Sequence, residues 1–178
     1  MRTHFIPFPT LQTERLDLRP LVAEDAPQLF VQRSDPRMLA FVEIVPPGTL
    51  EEIGEFIQKI NAGVAAGESV FWAVALQNSP ELIGTICLWN LSVAQSTAEL
   101  GYMLHPDFQG QGYMQEALVS VVAYGFDVMQ ANLIEAFSHP ENIPSIRLLE
   151  RNHFVRTGEV EGYAVFTQRQ AFTPGKGL

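Results

Sequence analysis

The segment Gln109-Gly110-Gln111-Gly112-Tyr113-Met114 sets two glycines between an apolar, strand-like run at 99–104 and a long amphipathic pattern at 115–128. A glycine-bearing turn at a helix start leaves several backbone N–H groups unpaired at the positive end of the helix dipole. That setting suits a phosphate or pyrophosphate. Glycine also lets the backbone approach such a ligand with no Cβ in the way. Two common phosphate loops are excluded. No third Gly stands where the dinucleotide fingerprint requires it, and no Lys-Ser or Lys-Thr follows Gly112 as in a Walker loop. Gln109 and Gln111 bring no charge, so the amides and the dipole must hold an anion. Arg147 and Arg151 are available to a more distant phosphate, or equally serve as solvent-facing helix charges.

Four other residues have types suited to proton transfer or positioning. In the run 97–104, strand alternation separates Thr97, Glu99, Gly101 and Met103 from Ala98, Leu100, Tyr102 and Leu104. Glu99 therefore projects opposite the apolar set, and a carboxylate within a strand is unusual. It is either a solvated edge residue or a general base for an ammonium acceptor. Asn142 and Ser145 flank a Pro at a helix start; each is either a first-turn residue satisfying an orphan N–H or a ligand-facing polar group. His139, after a strand at 133–138, is a loop residue without a role or a proton shuttle. The lone Cys87 lies in an apolar run with no thiolate-stabilising neighbour and reads as a small buried hydrophobe. The four histidines have no metal-ligand spacing, so no metal is expected. Phe41, Trp72, Trp89 and Phe137 line either the core or an acceptor cleft.

The elements that must position these groups follow from periodicity and punctuation. A first strand holds Leu16 and Leu18 and ends at Pro20; a short helix spans 24–33 and breaks at Asp35-Pro36. Pro46-Pro47-Gly48 marks a loop. Thr49 with Glu52 forms a capping box before a stripe of Ile53, Phe56, Ile57 and Ile60. Strands are expected at 70–76, 82–88, 97–104 and 133–138. A helix spans 143–152, and a last hairpin turns across Glu161-Gly162. In the long helix, Leu118, Val122 and Phe126 carry the apolar face. The Gly/Pro-rich tail at 173–178 reads as mobile.

At 178 residues, 47% hydrophobic and 17% charged, the chain is expected to be a single domain, 1–178, large enough for a real core. No apolar run reaches membrane-spanning length and no signal-peptide core opens the chain, so no membrane partner and a cytoplasmic location are expected. The net charge of −9 argues against nucleic acid and is compatible with a cationic acceptor.

The signature at 109–114 resembles the Q/R-x-x-G-x-G/A motif of the GNAT acyl-CoA N-acyltransferases. Ala98-Glu99-Leu100-Gly101-Tyr102 looks like the family's fourth strand. Asn142-Ile143-Pro144-Ser145 with Leu148-Leu149-Glu150-Arg151-Asn152-His153-Phe154 is similar to its second motif, and Thr13-Glu14-Arg15-Leu16-Asp17-Leu18-Arg19-Pro20-Leu21 resembles the opening of the ribosomal-protein alanine and serine N-terminal acetyltransferase branch. The resemblance covers about 11–172. It implies an α+β fold: a mixed, mostly antiparallel twisted sheet of about six to seven strands, flanked by helices. The strands at 97–104 and 133–138 would splay to hold acetyl-CoA as co-substrate. Backbone at Tyr102, Met103 and Leu104 would meet pantetheine and the thioester; Gln109, Gly110, Gln111, Gly112, Tyr113 and Met114 would meet the pyrophosphate; Asn142 is a pantetheine partner or a cap. Many relatives carry Lys or Arg where Gln109 and Gln111 stand. Met114 replaces a small residue and would narrow the turn. Leu149 occupies the place of the usual thiolate-protonating tyrosine, leaving Ser145 as the substitute acid, with Glu99 as base. The resemblance implies an amine acceptor, either a peptide N-terminus or a small molecule such as a polyamine, amino acid or antibiotic, and a monomer or homodimer. A CoA-binding module without turnover is the alternative.

Overall fold

A computed structural model describes residues 1–170. The tail expected to be mobile at 173–178, and the end of the resemblance at Phe172, lie outside the described residues. One mixed sheet runs in the order β1-β2-β3-β4-β5-β6-β8-β7. Its strands are β1 (Leu11–Gln12), β2 (Leu16–Arg19), β3 (Val70–Leu76), β4 (Leu82–Ser92), β5 (Thr97–Leu104), β6 (Leu133–Ser138), β7 (Val155–Val160) and β8 (Tyr163–Arg169). Every pairing is antiparallel except β5 with β6. Among the described residues the sheet thus has eight strands rather than six or seven. The two-residue β1 is too short to show alternation in a sequence.

Helices cover the two faces unequally. On one face α4 (Tyr113–Ala123), a π-helical turn (Tyr124–Val128) and α5 (Ile143–Arg151) pack over Trp72, Ile86, Leu88, Leu100, Ile134 and Phe166. On the other, α1 (Ala26–Ser34) and α3 (Leu50–Ala66) pack on Ala73 and Leu82, with α2 (Pro36–Leu39) between them in the chain. That second cover leaves part of the middle of the sheet open: Trp89 of β4 and Phe137 of β6 are 48% and 40% exposed.

Local chemistry explains the helix starts. Thr49 Oγ1 accepts from the Glu52 amide at 3.2 Å, while the Glu52 carboxylate accepts from the Gly48 amide at 2.8 Å. The box expected at Thr49 is therefore present, displaced by one residue on its return arm. Gly67, at φ 76°, closes α3 in the left-handed conformation that glycine adopts without cost. Asn152, after α5, exchanges two hydrogen bonds with Gln115 of α4, at 2.6 and 2.9 Å, and also donates to the Leu148 carbonyl at 2.7 Å. This half-buried amide pair ties α4 to α5. Asn152→Leu should strand Gln115 in an apolar setting and cost about 1–3 kcal/mol; urea unfolding measures it.

Candidate active site

Parallel pairing joins β5 and β6 only from Thr97↔Leu133 to Leu100↔Ala136. Beyond that point β5 continues to Leu104 against β4, and β6 continues to Ser138 against β8. Residues 101–104 thus leave one backbone edge without a strand partner, in a wedge between the two halves of the sheet. Tyr102, Met103 and Leu104 stand on this edge, as expected. The Leu104 carbonyl already accepts from Gln109 Nε2 at 2.9 Å.

At the end of β5 the chain makes a 3-10 turn (Pro106–Phe108) and enters the glycine loop. Gly110 and Gly112 have φ of 74° and 84°, and Gly112 is the N-cap of α4, with no side chain capping the helix. The first-turn amides of α4 are thus left without the usual cap. A Cβ built on Gly110 would meet nothing within 4 Å. These features fit a pyrophosphate. Gln111 Nε2 donates to the Asp107 carbonyl at 3.1 Å, so both glutamines brace the loop. Met114 is only 6% exposed and packs in the main core, so it does not narrow the turn as expected. Its place on the buried side of the helix decides this.

The loop does have a cation beside it, which sequence reasoning missed. Arg15, from the β1–β2 connection, donates to the Gln111 carbonyl at 3.0 Å and to Glu116 at 2.7 Å, and lies 4.5 Å from the Tyr113 ring centroid. Glu116 also accepts from the Thr13 hydroxyl and from the Arg15 amide at 2.8 Å. The signal was present in Thr13-Glu14-Arg15, but nothing local links it to a loop some ninety residues away. The hydrogen bond to Glu116 raises the Arg15 pKa, so the guanidinium stays charged.

On the incompletely covered face, Trp89, Glu99, Glu135 and Thr167 are successive partners across β4, β5, β6 and β8. Glu99 opposes the core residues Ala98 and Leu100, as alternation requires. Asn90 Nδ2 donates to its carboxylate at 3.2 Å. Partial burial raises the Glu99 pKa and Glu135 adds to it, against the pull of the Asn90 hydrogen bond. A carboxylate so placed is a better base than an ordinary one near neutral pH. Nearby, His139 lies between Phe41 and Tyr163, with ring centroids 5.6 and 6.0 Å away, and its Nδ1 accepts from the Glu141 amide at 3.2 Å. It is a packed turn residue. Burial pushes the Cys87 thiol up to about 12, which leaves it protonated and unreactive.

On the other side of the wedge, Asn142 Oδ1 accepts from the Ser145 amide at 3.2 Å. Asn142 is therefore the helix cap, and its amide NH₂ stays available. The Ser145 hydroxyl does no capping; it lies 2.8 Å from the Tyr102 hydroxyl. Leu149 is fully buried among core residues. A tyrosine there would overpack the core rather than line the wedge.

The profile of the Acetyltransferase (GNAT) domain matches residues 15–155. The chain belongs to the GNAT acetyltransferase family. It is 34% identical over 154 residues to the uncharacterised N-acetyltransferase p20 of Bacillus licheniformis, covering 86% of both chains. Among solved structures, RimJ of Mycobacterium smegmatis in complex with CoA-disulfide superposes with TM-score 0.80 at 20% identity, over 90% of this chain and 86% of that one. The ribosomal-protein-S5-alanine acetyltransferase of Vibrio fischeri gives TM-score 0.80 at 20% identity, over 90% and 96%. At such identities the structural likeness establishes the fold. Family membership makes the chain an N-acetyltransferase, an acyltransferase by reaction class. No helix among the described residues is long and apolar enough to cross a membrane.

Proposed function

We propose that this GNAT protein transfers acetyl from acetyl-CoA to a primary amine by direct attack, with a protein N-terminal amine as acceptor. The observation that carries the reading is the wedge: β5 and β6 part after Leu100 and Ala136 and open beside uncapped α4 amides. An extended pantetheine would add to the free edge at 101–104, and the pyrophosphate would meet the amides of 110–114. Glu99 takes the ammonium proton. Asn142 and Ser145 face the wedge from α5. An N-terminal amine is favoured by the likeness to ribosomal-protein acetyltransferases and by an acceptor face that is open, aromatic-flanked and acidic, suited to a cationic chain end rather than an enclosed small molecule.

Calorimetry with acetyl-CoA, followed by thiol release across peptides beginning with Ala or Ser, spermidine and free amino acids, tests the reading. Binding with release on the peptides is expected. Release only on spermidine or amino acids would move the acceptor to small amines. Binding without release on any amine would mark a CoA-binding module.

A further inference from the structure

We propose that Tyr102 is a positioning residue: its hydroxyl donates to Ser145 Oγ, 2.8 Å away, and so directs the Ser145 hydrogen at the departing sulfur. The inference deepens the acetyl-transfer reading and rests on it. Tyr102 belongs to the free edge of β5, and Ser145 to the first turn of α5. Their hydroxyls therefore bridge the wedge in which the thioester would lie. The phenol is the stronger donor and the serine hydroxyl the better acceptor, so Tyr102 donates. The Ser145 amide is held by Asn142 Oδ1, which fixes the serine on its side of the wedge. Ser145 Oγ then has one hydrogen left, and it is free to point into the wedge.

The dyad replaces what Leu149 cannot supply. The phenol comes from β5 instead of α5 and acts through a serine. Burial pushes the Tyr102 phenol up to about 12, with the Ser145 hydrogen bond opposing the rise. A phenol that weak as an acid does not surrender its proton to a thiolate. Its part, and that of Ser145, is hydrogen-bond stabilisation of charge that develops on sulfur. The nitrogen–carbon bond forms, the carbon–sulfur bond breaks, and its electron pair stays on sulfur. Glu99 takes the first proton of the ammonium. The thiolate takes the second, lost as the nitrogen becomes an amide. Both hydroxyls end the cycle neutral.

The experiment is a double-mutant cycle of Tyr102→Phe and Ser145→Ala, assayed with acetyl-CoA and peptides beginning with Ala or Ser, with spermidine as a further acceptor. Ser145→Ala should lower kcat by roughly 10²-fold, the effect of losing one preorganised donor. Tyr102→Phe should lower kcat by roughly 10-fold, with the acetyl-CoA KM and the melting temperature held. In the Ser145→Ala background it should do nothing further, because its route to the sulfur is gone. Ser145→Thr, which keeps a hydroxyl, should restore the sensitivity to Tyr102→Phe. In protein labelled with 13C at tyrosine Cζ, Ser145→Ala should shift the Tyr102 resonance. Additive losses, an unmoved resonance, or native turnover with an undiminished Tyr102→Phe kcat would overturn the dyad alone. A native protein that acetylates none of these amines would reject the underlying reading, and the dyad's catalytic part with it.

Discussion

Glu99→Gln should lower kcat by roughly 10²–10⁴-fold, the range for loss of a general base, while acetyl-CoA affinity stays near native. The carboxylate stands on the face opposite the main core, so its loss should remove proton transfer and leave the wedge intact. The pH profile supplies the second half of the test. In the native protein, turnover should fall on the acid side as Glu99 takes up its proton, and that limb should vanish in the variant. Stability should move the other way. The folded-state pKa of Glu99 is raised, chiefly by burial. Between the unfolded and folded values the native state binds more protons, so stability falls as pH rises through that window. Gln carries no such cost. Glu99→Gln should therefore melt higher than native at neutral pH and lose that advantage below about pH 4. Near-native turnover with an unchanged acid limb would remove Glu99 as base.

Gly112→Glu should weaken acetyl-CoA binding by roughly 10²–10³-fold. A carboxylate within a few ångströms of a pyrophosphate costs about 4 kcal/mol at a surface-like dielectric. The position needs a control. Gly112 sits at φ 84°, and an added Cβ would lie 3.3 Å from Arg15 Nη2. Any side chain there therefore pays about 1–2 kcal/mol of left-handed strain. Gly112→Ala carries the strain without the charge, so the gap in affinity between Ala and Glu isolates the electrostatic part. Calorimetry on both folded variants gives that gap. Equal affinities would place the pyrophosphate elsewhere.

The legibility of the molecule in its sequence depends on the range of the interactions. Residues 70–76, 97–104 and 133–138 show their β character locally, and the structure ends those strands at the same residues. The face of Glu99 is legible because alternation needs no partner. The helical pattern at 115–128 is legible too, but its π-helical last turn is not, since apolar spacing there does not distinguish a wider turn from an α-helix. What the sequence does not show is long-range. The burial of the Met114 side chain depends on the whole core. The cation beside the loop, Arg15, reaches it from the other end of the chain. Neither role that Ser145's type and position suggest includes Tyr102, forty-three residues earlier. Periodicity reports which face a side chain takes, not which distant side chain awaits it.

The short parallel seam between β5 and β6 also has a mechanical consequence. Among the described residues, strands β1–β5 and β6–β8 pair within the sheet at Thr97, Ala98, Glu99 and Leu100, and the Gln115–Asn152 amides and the Tyr102–Ser145 hydroxyls link the halves outside it. A seam that short is the natural line for sub-global opening, in which one half parts from the other before either unravels. A thioester lying across it would act as a strut, and binding energy would appear as slower opening of the seam. The cleft proposed for the acyl donor is thus also the fault line of the fold, and occupancy would close it.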